Sequence, residues 1–240
     1  MRNIVWAYKY WALDDSSVVL DSQKPVGEFV NDLAMLDSDI VAIESSYEGS
    51  ADFQTFNFTS SSMELPSNYG QLITQGLQSD THSASFTLSP SISPTQEPNF
   101  ASVFVDGGHF RLDGLETFLV GAVPKLDAVD DDDIAKVDIQ ISTSGVYADI
   151  RGQRIFNFTS QPRSVRLSYD LRADGTQGET HIHATFPTED HAEPTPLTQW
   201  TIQLLHPERL ELSGLTDVRL QWAGRAHFPP PGHRRGFTLW

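Results

Sequence analysis

From residue 26 onward the apolar positions step at helical intervals. Val26, Phe29, Leu33, Leu36, Ile40, Ile43 and Tyr47 follow one another three or four residues apart. That spacing predicts one helix over 26–47 with a coiled-coil seam along one face. Pro25 suits the first turn, and Gly49 stands where the helix should stop. A helix of about 22 residues is about 33 Å long at 1.5 Å per residue. Upstream, Ile4, Tyr8 and Trp11 share a face of a shorter helix, which Trp6 and Tyr10 widen. Asp14 to Ser17 read as the break between the two. An antiparallel, coiled-coil-like helical pair is therefore expected over residues 1–50.

From Ala84 the period changes from helical to two. Val137, Ile139 and Ile141 alternate with Asp138, Gln140 and Ser142. Val165, Leu167 and Tyr169 repeat the pattern, as do Trp200, Ile202 and Leu204, and Val218, Leu220 and Trp222. Alternation of this kind means one buried face and one wet face, as in antiparallel sheets. Gly107-Gly108, Asp174-Gly175 and Ser213-Gly214 supply turns between the runs. The expected fold class is mainly β, an antiparallel β-sandwich preceded by the helical pair. The division is a helical pair over 1–50, a connecting loop and short helix over 51–83, the sandwich over 84–228, and an extended or disordered tail over 229–240. The tail, PPPGHRRGFTLW, is too proline-rich to be a central strand.

The string FNFTS occurs at Phe56–Ser60 and again at Phe156–Ser160. Its flanks do not match, so it reads as two look-alike strand edges rather than an internal duplication. Both copies carry an N-x-T sequon, at Asn57 and Asn157. MRNIVWAYKYWALDD has none of the features of a signal peptide, so glycosylation at either site is not expected.

Composition narrows the function classes. The chain has 240 residues and a net charge of −16. That charge disfavours nucleic acid and anionic membrane surfaces as partners. With no cysteine there is no disulfide framework, no thiolate nucleophile and no cysteine-ligated zinc. No apolar run reaches membrane-spanning length. No G-x-S-x-G elbow and no phosphate-binding loop is present. No acid stands in a clearly apolar stretch that would raise its pKa; Asp217 and Glu116 come nearest.

Three clusters carry candidate chemistry. The run Asp130, Asp131, Asp132, Asp133 lacks the spaced oxygens and the glycine of a calcium loop. It reads as a solvated tip that faces a basic partner. His181 and His183 lie two apart on a strand, with Glu189 downstream, and form a weak candidate for a divalent metal. Gly175-x5-His181-x-His183 resembles the first half of the cupin motif, but Glu189 falls too late and no second motif follows. No metal and no cofactor is expected. The loop with Asp190, His191 and Glu193 is a second candidate contact for a protein partner. A carbohydrate-binding sandwich is the alternative function, and it would use Trp200, Trp222, Tyr147 and Tyr169; a cupin-like metal-dependent enzyme ranks below it.

AYKYWALDD, then a coiled-coil helix, then strands closing with LTQWTIQLLHPERLELSGLTDVRLQWAGRA, resembles the C-terminal region of the A subunit of bacterial Tc insecticidal toxin complexes. Modules of large fungal proteins are similar. The resemblance covers residues 4–228 as an order of features; FLVGA replaces the family's proline-containing strand. It implies a non-catalytic docking module that receives another protein subunit. It also implies that the first helices end a longer, oligomeric helical body, and that the complex is released outside the cell.

Overall fold

The computed structural model describes residues 7, 8, 10–13, 24–48, 50, 53–59, 68–90, 107–151, 154–186 and 193–228. Those residues are mainly β, and every ladder between named strands is antiparallel. The strands are β1 (Phe53–Thr59), β2 (Ser83–Thr87), β3 (Gly108–Val120), β4 (Val123–Pro124), β5 (Ile134–Arg151) and β6 (Arg154–Thr159). They continue with β7 (Ser164–Arg172), β8 (Gln177–Ile182), β9 (Thr198–Leu204), β10 (Leu210–Glu211) and β11 (Asp217–His227). One sheet has the order β1-β11-β3; a larger one runs β2-β9-β5-β7-β8, with β6 also paired to β5. A short ladder joins β4 to β10.

The alternating residues do what their period requires. Leu112 and Leu115 of β3, Val137, Ile139 and Ile141 of β5, Leu167 and Tyr169 of β7, Trp200 of β9 and Trp222 of β11 are buried in one shared core. The helix α1 spans Val26–Glu48 and α2 spans Asn68–Gln78. The buried Tyr69, Ile73 and Leu77 fall four apart on α2 and join that core. Gln78 Nε2 ties the end of α2 to the Leu212 carbonyl at 2.8 Å.

The 18-residue β5 does not keep one phase. Val137, Ile139 and Ile141 face the main core, but further along it is Ala148 and Ile150 that do so. The ladder to β9 slips between Thr143 and Tyr147, and Gly145 sits there at φ +80°. A Cβ on Gly145 would lie 2.6 Å from the Ser160 carbonyl oxygen, so glycine is required for the contact as well as the dihedral. The bulge turns Tyr147 and Asp149 to the opposite side of the sheet.

That side meets a second apolar cluster of Ala7, Tyr10, Trp11, Leu13, Ile40, Tyr147, Phe156 and Phe158. Ala7, Tyr8 and residues 10–12 are helical. This segment packs on strands and on the last turns of α1. Of the α1 seam, Ile40 is buried, Ile43 and Tyr47 pack on this cluster, and Phe29, Leu33 and Leu36 are half-buried.

Both FNFTS copies fall on edge strands, β1 and β6. Phe56 goes to the main core, whereas Phe156 and Phe158 go to the second cluster. β1 lies in the stretch expected as a connection, and it adds a strand to the β11 edge.

Candidate functional site

The second cluster holds the most unusual chemistry among the described residues. Alternation along β3 sends Phe110 and Leu112 into the main core and His109 and Arg111 outward. On β5, Asp149 also points outward, beside Arg111. Arg111 Nη1 donates to Asp149 Oδ2 at 3.0 Å, and both side chains are fully buried. Asp149 Oδ1 also accepts from the backbone N–H of Ile150 at 2.7 Å. The Arg111 guanidinium lies 3.5 Å from the Tyr10 ring centre and 4.3 Å from that of Trp11. A cation against aromatic faces in a dry site is attracted by their quadrupoles.

The helical turn is held by its carbonyl end. Arg111 Nη2 donates to the Tyr10 carbonyl at 2.7 Å, His109 Nε2 to that of Trp11 at 3.2 Å, and Arg151 Nη1 to that of Ala12 at 2.9 Å. The last carbonyls of a helix have no partner within it. Leu13 then leaves the helix at φ 44°. The Tyr10 hydroxyl donates to the carbonyl of Glu193 and, at 3.3 Å, to that of Phe110. Tyr47 of α1 closes over His109 with 4.1 Å between ring centres.

Burial sets the protonation states here. It pushes the Asp149 carboxyl up to about 6, against the opposing pull of Arg111. Burial, helped by Arg111, holds the His109 imidazolium far below its ordinary range, so the ring is a neutral Nε2–H donor. Burial also raises the Tyr10 phenol far above its usual value, more than Arg111 lowers it. Asp149 is thus the acid in an apolar setting that the sequence did not reveal; Asp217 is exposed and Glu116 bonds a histidine. The hint lay in VYADIR, where an acid stands between apolar neighbours.

The compared sequences add no identity. No family model and no curated protein matches the chain.

The residues expected to bind sugar are not available to it. Trp200, Trp222 and Tyr169 are fully buried and Tyr147 is 3% exposed. They occupy the apolar phase of their strands, and Tyr147 caps the second cluster. Trp200 Nε1 donates to the Pro196 carbonyl at 3.0 Å.

The two histidines do not converge. His181 Nε2 meets Asp170 Oδ1 at 2.7 Å, and His183 Nδ1 meets Glu116 Oε1 at 2.5 Å. Asp170 is on β7 and Glu116 on β3, so each ring has its own acid. Among the described residues no group of three or more His, Asp or Glu is placed to hold a metal ion. Glu189, Asp190 and His191 lie outside the described residues. Glu193 is described, but it is buried, and Arg225 Nη2 bonds both its carboxylate oxygens at 2.8 and 3.0 Å. It is a structural anchor and not an open contact.

Asp130, Asp131, Asp132 and Asp133 are all exposed, in the loop between β4 and β5. Asp130 Oδ1 accepts from the N–H groups of Asp132 and Ile134, which fixes the turn. Leu126, in the same loop, is 92% exposed. No described helix is long and apolar enough to cross a membrane.

Proposed function

We propose that the chain is a non-catalytic module that docks another protein, similar in role to the B-subunit-receiving end of a toxin-complex A subunit. The observation that carries this reading is the loop before β5. It presents a bare leucine, Leu126, beside four exposed aspartates. An apolar anchor rimmed by charge of one sign suits a partner with an apolar pocket and a basic surround. On this reading the two sheets form a sandwich that holds the loop rigid, and α1 belongs to a helical pair completed in a larger body. Val26, Val30, Met35 and Val41 of α1 are exposed, as a helix with unfilled apolar positions would be.

A catalytic reading has less support. The one strongly perturbed acid, Asp149, is sealed under Tyr10 and Trp11 and paired to Arg111. No substrate reaches it in this arrangement.

The test is binding of the full chain to the products of the genes that flank its own. One partner should be captured, and association should slow by about tenfold or more between low and high salt. Leu126→Asp should abolish capture. Failure with every neighbour, together with micromolar binding to a glycan array, would overturn the docking reading.

A further inference from the structure

We infer that the β-rich body carries a recognition site for the carboxyl end of a short aromatic helix, with residues 10–13 as its ligand in cis. This site lies at the Asp149 end of β5, opposite the Leu126 loop, so it stands independently of the docking proposed there.

The contacts are those of a receptor with a peptide. Three consecutive carbonyls, of Tyr10, Trp11 and Ala12, are each met by a different side chain of the body: Arg111, His109 and Arg151. Two of those donors are guanidinium cations, and a helix C-terminus carries partial negative charge. Side-chain identity is read as well. The Tyr10 hydroxyl reaches the Glu193 and Phe110 carbonyls, Arg111 stacks on both rings, and Leu13 is buried. A Tyr-Trp-small-Leu sequence at a helix end meets all of these demands.

The site is organised by groups that stay with the body. Asp149 and the Phe110 carbonyl both accept from Arg111 Nη1, at 3.0 and 2.7 Å, which leaves Nη2 aimed at the ligand. Asp149 is itself fixed by the Ile150 N–H. Glu193, whose carbonyl takes the Tyr10 hydroxyl, is anchored to Arg225. Preset donors of this kind lower the ordering cost of binding. Nor does the main core need the segment: no described residue from 7 to 13 belongs to it. Withdrawing the segment would open a hydrated ion pair, not the interior between the sheets.

The consequence is that the same sequence supplied by a second molecule competes for the groove. The experiment uses the full chain with a protease recognition sequence, flanked by flexible linkers, inserted between Ser16 and Ser17 and cut after folding. The amino-terminal fragment should remain associated. A labelled synthetic peptide of residues 1–16 should exchange into its place saturably, at one peptide per chain. Trp11→Ala in the peptide should weaken binding by about tenfold or more. Arg151→Ala in the body should weaken it by about threefold with the strand circular dichroism unchanged, because that side chain is exposed and, among the described residues, its bond is to one carbonyl. Loss of the strand signal when the fragment is removed would show that the segment is part of the core, and overturn the inference. So would a body that stays folded but rebinds no peptide, or that binds the Trp11→Ala peptide equally well.

Discussion

The main core and the cluster around Tyr10 solve burial in different ways. In the main core, apolar side chains from most strands pack together, and Trp200 and Trp222 lie fully inside. Around Tyr10, aromatic rings enclose a buried arginine and aspartate, and the covering piece comes from far along the chain. The first arrangement draws on area removed from water, which is additive and tolerant. The second depends on a charge being matched, and a matched pair contributes specificity more than stability. Arg111 Nε and the Trp11 indole N–H have no partner among the described residues. The second cluster should therefore be the weaker of the two, as the variants below test.

The largest expected effects separate these regions by truncation. Trp222→Ala should cost about 3–5 kcal/mol in urea unfolding and disturb every probe together. Trp11→Ala should cost less than half of that, because the turn can leave instead of keeping a cavity. Equal losses from the two would erase the contrast.

Next comes the buried pair. Asp149→Leu alone strands the Arg111 charge and should cost about 3–5 kcal/mol. Arg111→Met with Asp149→Leu should recover most of that stability while hydrogen exchange at residues 10–13 speeds up. A double variant no more stable than the single one would mean the charges hold the fold and not the segment.

A smaller effect is legible in pH. The Asp149 carboxyl stands at about 6 in the fold against an ordinary 3.8, so the folded state keeps a proton that the unfolded chain has released. Its contribution to stability is therefore complete below about pH 3.8 and is lost as pH rises through 6. The stability of the wild type relative to Asp149→Asn should rise as pH falls from about 7 to 5, read from urea midpoints. A difference independent of pH would place the carboxylate in a more polar setting. The smallest effect belongs to the loop: Leu126→Asp should leave stability within about 0.5 kcal/mol of wild type, since the side chain packs on nothing.

Periodicity made much of this legible. Val137, Ile139 and Ile141 lie on the covered face that their spacing predicts, and of the α1 step Ile40, Ile43 and Tyr47 pack on the second cluster while Val26 is exposed. What it could not show is a sheet covered on both sides. His109, Arg111, Tyr147 and Asp149 occupy the phase that normally faces water, and the aromatic segment, the last turns of α1 and β6 together turn that phase into an interior. The phase change at Gly145 was hidden for a related reason. A bulge in STSGVYADI, where four steps along β5 match two along β9, leaves the composition of a strand intact while exchanging its faces. Trp200 and Trp222 mark the converse: their apolar phase already pointed to packing, and burial takes away the indoles on which a sugar-binding reading leaned.

The span between the aromatic turn and its anchors sets a timetable for synthesis. Tyr10 bonds the carbonyls of Phe110 and Glu193, which follow it by 100 and 183 residues. A ribosome adding about 5–20 residues each second needs about 10–40 s to make the second of them. For that interval two adjacent aromatic side chains have emerged and their groove does not exist. The nascent chain then presents a sticky, unclaimed stretch to whatever is nearby, including the finished groove of a neighbour on the same message.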